Sequence, residues 1–232
     1  MAIPLVSKGD FLRLDRRVLE QLRGASTLDL ILATPSVDAE MMMHGYRAGI
    51  FAMPVPADDT RPEVYAWYLP ELRGVIPIPP GTDGWLGRPP RSLRKSMSRF
   101  TLSINRDFAA VLGHCSRLPR EGGWINPALE TAYSALHARG LALSVEAWTL
   151  DGALAGGLFA IRVEDFMAGE SMFHLRPDAS KAALVALVEL AGSGGIRFVD
   201  TQWPTDHLRR MGAVEVNWRA YLDAIEGKQL GG

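Results

Sequence analysis

The sequence predicts an α+β fold in which a mixed sheet is flanked by helices. The clearest observation is a hairpin, because strand patterns at residues 141–149 and 154–163 are joined by the turn pair Asp151-Gly152. A third strand pattern at 165–173 follows directly, and then a helical pattern and a short buried strand. Strands in a meander, followed by a helix and one more strand, are typical of a single sheet covered by helices.

The N-terminal quarter of the chain has weaker signals. Residues 1–25 carry mixed charge and little apolar periodicity, which indicates a weakly docked segment. Residues 38–48 predict a helix, because Asp38 can cap it and Gly49 follows as a stop. Three prolines within residues 51–62 disfavour regular structure and indicate a linker. We therefore expect a small N-terminal domain at residues 1–62 and a larger domain at 63–232.

The other elements of the larger domain follow from period and capping signals. The pair Asn126-Pro127, for example, places a good N-cap residue before a proline at the first helical position. The same reasoning predicts short strands at 64–68, 74–78, 101–105 and 196–200, and helices at 91–97, 107–115, 126–139 and 178–190.

Composition excludes several classes of protein. The chain has 232 residues, of which 47% are hydrophobic and 22% charged, so it can bury a core and is not disordered. Its formal net charge of −1 excludes a uniformly basic nucleic-acid coat. The one cysteine, Cys115, cannot form an internal disulfide or a thiolate metal site. With no secretory leader pattern and no long apolar run, we expect a cytoplasmic protein with no membrane partner.

The strongest local charge feature is a basic helix. At helical spacing, Arg91, Lys95 and Arg99 fall on one face, and Arg94 lies beside them. Such a row of cations suits a phosphate backbone, where each neutralised phosphate releases counterions. A solvated helix face, with acids supplied by neighbouring segments, is the alternative, and charge alone favours it.

Two strands carry polar residues that require an explanation. Glu170 lies among small and apolar residues on an interior strand, where a lone buried charge is costly, so it needs an ionic partner or a function. Asp200 and Gln202 follow a hydrophobic strand and, two residues apart, would share one side of it. A carboxylate beside an amide can orient an amine and take up its proton. A helix-capping role for Asp200 is an equally serious alternative.

Other catalytic signatures are missing. The five histidines have no HxxxH or HExxH spacing, which argues against a zinc site. The sequence also lacks the GxSxG, P-loop and GxGxxG motifs of hydrolases, NTPases and dinucleotide-binding proteins.

A series of segments between residues 38 and 222 forms a recognisable pattern. They are Gly45-Tyr46-Arg47-Ala48-Gly49-Ile50-Phe51, Trp67 with Pro70, Arg73-Gly74-Val75-Ile76-Pro77, Arg91-Ser92-Leu93-Arg94-Lys95, Asn105-Arg106-Asp107-Phe108, Trp124-Ile125-Asn126-Pro127, Ser144-Val145-Glu146, Gly169-Glu170-Ser171-Met172-Phe173, Asp178-Ala179-Ser180-Lys181, Asp200-Thr201-Gln202, His207-Leu208 and Gly212-Ala213. Taken together and in this order, the segments resemble the leucyl/phenylalanyl-tRNA–protein transferase family.

The resemblance implies a fold, an activity and partners. The fold would be a small N-terminal domain joined to an acetyltransferase-like (GNAT) domain with a mostly antiparallel sheet. The activity would be transfer of leucine or phenylalanine from charged tRNA to the N-terminal Arg or Lys of a protein, which marks that protein for degradation by the N-end rule. The partners would be aminoacyl-tRNA and such proteins, with no DNA. No metal or other cofactor is expected, because the ester of the donor is already activated.

The resemblance also implies roles for individual residues. Asp200 would polarise Gln202 towards the attacking amine, and Glu170 would hold a substrate amine. The donor side chain would bind beside Met167, Met172 and Phe173. Trp124 and Tyr133 would contact the terminal adenosine, and Tyr46 would be a further substrate-binding residue. With a tRNA donor, phosphate binding becomes the better interpretation of the basic helix, through Arg91, Arg94, Lys95 and Arg99.

Several positions depart from the family pattern, so specificity is less secure than the reaction class. They are Met53, Tyr68, Leu143, Met167 and His174. Two alternatives therefore stay open: a diverged tRNA-dependent aminoacyltransferase that acts on a different, non-protein amine, and a non-catalytic RNA-binding module. An acetyl-CoA enzyme is disfavoured, because no R/Q-x-x-G-x-G/A loop precedes a helix.

Overall fold

A computed structural model of the chain describes residues 3–58, 62–78, 89, 91–117 and 124–230. These residues form two compact units, neither of which is continuous in sequence. The first contains the described residues of Met1–Arg73, Trp124–Ala135 and Val216–Gly232, and the second contains those of Gly74–Gly123 and Leu136–Glu215. The domain boundary at residue 62 stays a prediction.

The first unit is built on a small antiparallel sheet. Its strands lie in the order β1-β3-β2, so β3 is central. The predicted strand at 64–68 and the helix at 38–48 are confirmed, and the side chain of Asp38 accepts from the amide of Met41 as an N-cap. The elements are α1 (Lys8–Phe11), α2 (Arg16–Ala25), β1 (Leu30–Thr34), α3 (Ala39–Arg47), β2 (Phe51–Val55), β3 (Val64–Tyr68) and α9 (Trp218–Ile225).

The predicted linker at residues 51–62 is wrong over its first five residues. Phe51–Val55 forms β2, which pairs with β3 from Phe51 opposite Tyr68 to Val55 opposite Val64. Pro54 lies within this strand although proline cannot donate to a strand ladder. It is tolerated because β2 is at the edge of the sheet and has only one neighbouring strand, so a backbone N–H is not needed on the other side.

The N-terminal segment is also more firmly attached than residues 1–25 predict. It contains two short helices that bury Phe11 and Leu19 completely, both at 0% exposure. The ring of Phe11 lies 4.2 Å from that of Trp67, measured between centroids. The two apolar anchors lie on two different helices, so no single helical period connects them.

The second unit contains a seven-stranded sheet in the order β10-β4-β9-β8-β7-β6-β5. Strands β8 and β9 are parallel, whereas β4–β9, β5–β6, β6–β7 and β7–β8 are antiparallel, which confirms the mixed, mostly antiparallel sheet. The strands are β4 (Leu72–Pro77), β5 (Phe100–Ile104), β6 (Ala142–Thr149), β7 (Leu154–Val163), β8 (Phe166–His174), β9 (Phe198–Gln202) and β10 (Val214–Asn217), and the helices are α4 (Arg91–Met97), α5 (Phe108–Ser116), α7 (Ala179–Ser193) and α8 (Asp206–Arg210). The first two residues of β4, the last two of β10 and most of α6 (Pro127–Ala138) are assigned to the first unit.

Capping side chains fix the starts of the predicted helices. Asp107 accepts from the amide of Ala110 at the start of α5, and Asn126 accepts from the amide of Leu129 at 3.0 Å at the start of α6. The strand and helix patterns from 91 onward are thus confirmed within a few residues at each end. None of the helices among the described residues is long and apolar enough to cross a membrane.

Two consecutive glycines let helices pack on both faces of the sheet. A Cβ on Gly156 would lie 2.8 Å from the Cβ of Ala179 in α7, and one on Gly157 would lie 3.2 Å from the Cγ2 of Val111 in α5. Neighbouring strand residues point to opposite faces, so one small pair serves both contacts. The apolar face of α7 covers a core that includes Leu158 and Val199, which positions the strand ends described next.

Candidate active site

The candidate active site lies where two parallel strands separate. β8 and β9 pair at Phe166–Phe198, Met167–Val199 and Ala168–Asp200, and their pairing ends there. Beyond this point the strand ends line a cavity of about 240 Å³. Its walls come from both strands and from the helices that flank them, and include Glu170, Met172, Leu184, Leu187, Thr201, Gln202 and His207. Carboxyl ends of parallel strands are common ligand sites in sheets covered by helices.

A β-bulge turns Glu170 towards this cavity. In the β7–β8 ladder Phe159 pairs with Ser171 and Ala160 with Gly169, so Glu170 is an extra residue without an opposite partner in the ladder. Because a bulge interrupts strand alternation, Gly169, Glu170 and Ser171 can all line the same cavity. The sequence placed a carboxylate on an interior strand, and the bulge is what exposes it to a cavity.

Gln202 reaches the cavity through an unusual backbone conformation. Its φ is +57°, in the left-handed region, so the regular alternation of β9 ends at this residue. The alternation that would put Asp200 and Gln202 on one side of the strand therefore does not extend to Gln202. Gln202 lines the cavity together with Thr201, whereas Asp200 is fully buried and does not line it.

Asp200 instead stabilises the backbone turn at Gln202. Its Oδ1 accepts a hydrogen bond from the backbone N–H of Gln202 at 2.9 Å. A carboxylate that accepts from the amide two residues later forms an Asx-type turn, which stabilises local left-handed or turn conformations. Asp200 and Gln202 are thus close together, as predicted. Asp200 stabilises the turn, and only Gln202 lines the cavity.

Three uncharged side chains around the cavity each have a buried polar atom that makes no hydrogen bond to any described residue. The atoms are Ser171 Oγ, Thr201 Oγ1 and Gln202 Nε2. Leaving a buried polar group unpaired costs about 1–3 kcal/mol, so these atoms are positioned for a ligand that pairs with them. Gly74 on β4 leaves room for one of them, because a Cβ there would lie 2.6 Å from Thr201 Oγ1.

Opposite the polar atoms the cavity is apolar. Leu158, Leu184, Leu187 and Val199 contribute to this wall, and all four belong to the core under α7 or are packed into it. An enclosure of this size with an apolar wall and a few polar groups suits one apolar side chain attached to a polar backbone.

His207, a residue that our sequence reasoning gave no role, lies on α8 at the edge of the cavity. Partial desolvation lowers the pKa of its imidazole, and the positive charges of Lys181 and Arg210 lower it further. The ring is therefore neutral at pH 7 and available as a donor or acceptor. Its place in the segment His207-Leu208 was the only signal in the sequence.

The three side chains expected to form the donor pocket lie in different places. Met172 lines the cavity. Phe173, the next residue, points to the opposite face of β8, where its ring stacks on His114 with centroids 4.5 Å apart. Met167 is on the face of Met172 but roughly 13 Å further along the strand, by the usual rise per residue. There it lines a separate cavity with Leu143, so two of the family departures cluster away from the site.

The three aromatic residues Trp124, Tyr133 and Tyr46, which are expected to contact substrate, belong to the first unit. Trp124 and Tyr133 are in edge-to-face contact, with centroids 6.3 Å apart and planes at 89°. Tyr133 and Tyr46 are almost fully buried, at 0% and 2% exposure. Their expected contacts with substrate remain predictions.

The basic helix has the predicted exposure. Arg91, Arg94, Lys95 and Arg99 are all exposed, whereas Leu93 faces the core. Arg88, at the start of this basic segment, lies outside the described residues. The cations thus form a charged surface on α4 and the turn that follows it.

Comparisons with known proteins identify the family. Residues 87–226 match the family model of leucyl/phenylalanyl-tRNA protein transferase. The chain is 41% identical over 201 residues to the leucyl/phenylalanyl-tRNA–protein transferase of Rhodopseudomonas palustris strain HaA2, with 84% of this chain and 86% of the relative covered. It is 42% identical over 193 residues to the protein of that name from Jannaschia sp. strain CCS1, with 81% and 85% covered.

A solved structure supports the fold. FemX superposes with a TM-score of 0.50 at 11% identity, covering 92% of this chain and 78% of that chain. This likeness concerns the fold alone. By the family match over most of its length, the chain belongs to the leucyl/phenylalanyl-tRNA–protein transferase family.

Proposed function

We propose that this protein transfers leucine or phenylalanine from charged tRNA to the N-terminal Arg or Lys of acceptor proteins, in the cytoplasm. Family membership supports aminoacyl transfer from tRNA to protein. The single observation that carries the site assignment is the cavity in which Glu170 and Gln202 face an apolar wall. That cavity has room for the side chain of one apolar amino acid, which is the part of the donor that distinguishes leucine and phenylalanine from polar residues.

The reaction is aminolysis of an ester. The uncharged α-amine of the acceptor attacks the carbonyl carbon of the aminoacyl ester, a C–N bond forms, and the bond from that carbon to the ribose oxygen breaks. One amine proton ends on the released ribose hydroxyl, so the reaction is balanced without an external oxidant or reductant. The protein has to position the amine and accept or relay its proton.

Gln202 is the group we place against the amine. Its side chain lines the cavity, and an amide oxygen can accept a hydrogen bond from the attacking N–H while the amide nitrogen donates to the substrate. Asp200 acts through Gln202, because its carboxylate accepts a hydrogen bond from the backbone N–H of Gln202 at 2.9 Å and does not line the cavity. Asp200 is therefore a positioning residue in this proposal.

Glu170 is the group we place against the positive charge of the acceptor. The bulge directs this carboxylate into the cavity wall, where it can pair with a cationic group. The exposed cations Arg91, Arg94, Lys95 and Arg99 would bind tRNA phosphates, which makes binding depend on salt.

A transfer assay tests the proposal. Labelled leucine and phenylalanine, each on tRNA, are offered with two peptides that differ only in the first residue, Arg or Gln. We expect labelled product from the Arg peptide and little from the Gln peptide. Gln202→Ala should lower kcat by about 100–1,000-fold, the range for loss of one positioned hydrogen-bonding group in catalysis.

Glu170→Gln provides a matched test of acceptor recognition. It keeps the shape of the side chain and removes its charge, so KM for the Arg peptide should rise while use of the donor is retained. Transfer to a small amine but to neither peptide would contradict the proposed acceptor. Binding of tRNA with no transfer to any acceptor would contradict the proposed activity.

A further inference from the structure

Thr201 is a buried threonine whose hydroxyl has no partner in the described part of the chain. The residue is only 9% exposed, and its Oγ1 makes no hydrogen bond to any described residue. Gly74 on β4, where a Cβ would lie 2.6 Å from this oxygen, offers no side chain to pair with it. Valine would fill the same space without leaving a buried hydroxyl unpaired, so a threonine here indicates that a ligand atom pairs with the hydroxyl.

The pleat of β9 directs Thr201 towards the cavity of the candidate active site. Val199 and Thr201, two residues apart, both line this cavity, whereas Asp200 between them does not. This is the alternation expected of a strand. The hydroxyl of Thr201 therefore belongs to a side chain on the same face as the apolar wall.

A second unpaired donor follows Thr201 directly. Gln202 lines the same cavity, and its Nε2 is also buried without a hydrogen bond to a described residue. An amide nitrogen can only donate, and a threonine hydroxyl can donate as well. The end of β9 thus brings two donors from consecutive residues to one cavity.

The ester of the donor has one atom that suits both of these groups. Its carbonyl oxygen accepts hydrogen bonds through two lone pairs, and it becomes negatively charged when the amine attacks. The protonated α-amino group of the donor amino acid, by contrast, has no lone pair and can only donate. Two donors side by side therefore point to the carbonyl oxygen.

The amide of Gln202 can contact the attacking nitrogen and this oxygen at the same time. Its Oε1 and Nε2 are attached to one carbon, just as the attacking nitrogen and the charged oxygen are attached to one carbon in the tetrahedral intermediate. When Oε1 accepts from the N–H of the amine, Nε2 therefore lies beside the charged oxygen.

We propose that Thr201 Oγ1 and Gln202 Nε2 form an oxyanion hole for the aminoacyl ester. This inference rests on the proposed function. As the C–N bond forms, one electron pair of the C=O bond moves onto the carbonyl oxygen. The pair returns when the bond to the ribose oxygen breaks, and one amine proton ends on the ribose hydroxyl. Donors that are fixed in place bind the charged oxygen more strongly than the neutral carbonyl, so they lower the barrier.

Variants at Thr201 test the hydroxyl. Thr201→Val should lower kcat for transfer from leucyl-tRNA to an Arg peptide by about 100-fold or more, with little change in KM for either substrate. Thr201→Ser keeps the hydroxyl and should retain most of the wild-type kcat. The melting temperature of Thr201→Val should not fall, because valine removes a buried oxygen that has no partner among the described residues. A purely structural role would not lower kcat while stability is kept.

Thr101→Val is the matched control. Thr101 is an exposed residue of β5, and three strands of the same sheet, β6, β7 and β8, lie between β5 and β9. This variant should keep the wild-type kcat and KM.

Two unreactive analogues of leucyl-adenosine distinguish the charged oxygen from the neutral carbonyl. One has an amide in place of the ester and keeps a planar carbonyl. The other has a phosphonate in place of the carbonyl group, which is tetrahedral and carries a charged oxygen. Inhibition constants are measured against transfer from leucyl-tRNA. The wild type should bind the phosphonate more tightly, and Thr201→Val should weaken the phosphonate about tenfold or more and the amide less than about threefold.

Four results would overturn the inference while the proposed function stands. These are wild-type kcat in Thr201→Val, equal losses of kcat in Thr201→Val and Thr201→Ser, a wild type that binds the phosphonate no more tightly than the amide, or equal weakening of both analogues by Thr201→Val. The last result would assign the hydroxyl to binding of the unreacted donor. Failure of the wild type to transfer leucine from tRNA would instead contradict the proposed function itself.

Discussion

The carboxylate of Asp200 accepts a hydrogen bond from the backbone N–H of Gln202, and only the second of these residues lines the cavity. A fully buried acid thereby fixes a residue whose φ of +57° is uncommon for a side chain of this size. Asp200 thus holds the backbone of the turn, and Gln202 supplies the side chain that lines the cavity.

This relationship predicts how substitutions at Asp200 behave. Asp200→Asn keeps the shape but replaces a charged acceptor with a neutral one, so kcat should fall about tenfold with little change in KM for either substrate. Asp200→Ala removes the acceptor and should lower kcat further. Steady-state kinetics with an Arg peptide measure both effects. Wild-type kcat in a folded Asp200→Ala variant would show that the turn does not depend on this carboxylate.

Gly74 predicts a steric effect on the same site. In Gly74→Ala the new Cβ would lie 2.6 Å from Thr201 Oγ1 and 3.2 Å from the Cα of Pro204, so β9 and the turn after it must shift. We expect a loss of about 1–3 kcal/mol in the free energy of unfolding, together with lower kcat.

Gly24→Ala is the control for this substitution. It lies within α2 with nothing within 4 Å of the added Cβ, and should raise stability by about 0.5–1 kcal/mol. Denaturant titrations compare the two variants. Equal stability of Gly74→Ala and the wild type would mean that the strand contact relaxes without cost.

Phe11 tests the docking of the N-terminal segment. Its ring is completely buried and contacts Trp67, so Phe11→Ala should destabilise the protein by about 3–5 kcal/mol. Leu28→Ala, at a position 58% exposed, should change stability by less than about 0.5 kcal/mol. The free energy of unfolding in urea measures both. A small effect of Phe11→Ala would restore the weakly docked segment that the sequence predicts.

Asp178 predicts a pH dependence of stability. Hydrogen bonds from Lys181 and from Ser96 lower the pKa of its carboxyl below the usual value of 3.8. Because the folded state binds this proton less tightly than the unfolded state, the stabilisation is present above about pH 4 and is lost as the pH falls through the lowered value.

Asp178→Asn should remove the pH-dependent stabilisation by the Asp178 carboxylate. It should keep the left-handed backbone conformation, which asparagine also tolerates. The difference in unfolding free energy between wild type and variant should be constant between about pH 5 and 7 and should shrink below about pH 4. Urea titrations at several pH values measure it. A difference that does not depend on pH would show that the Lys181 pair adds no stability.

The correct predictions rested on local signals. Each of these signals involves residues only a few positions apart, so it can be recognised in the sequence. They are the turn at Asp151-Gly152, the N-caps Asp38, Asp107 and Asn126, and the row of cations on α4. The missed features depend on distant partners. Phe51–Val55 is a strand because β3 pairs with it, and Phe11 is an anchor because Trp67 lies beside it.

By itself, the sequence determined the order of the main helices and strands, the family, and the small set of polar residues around which the site is built. Only the tertiary structure decided which of those residues share a cavity. A bulge places Glu170 in the cavity wall, and a left-handed backbone conformation places Gln202 there. The pleat of β8 places Phe173 on the opposite face of the sheet. The reason is physical: side-chain direction depends on strand register and backbone dihedral angles, which are settled by pairing between segments far apart in the chain.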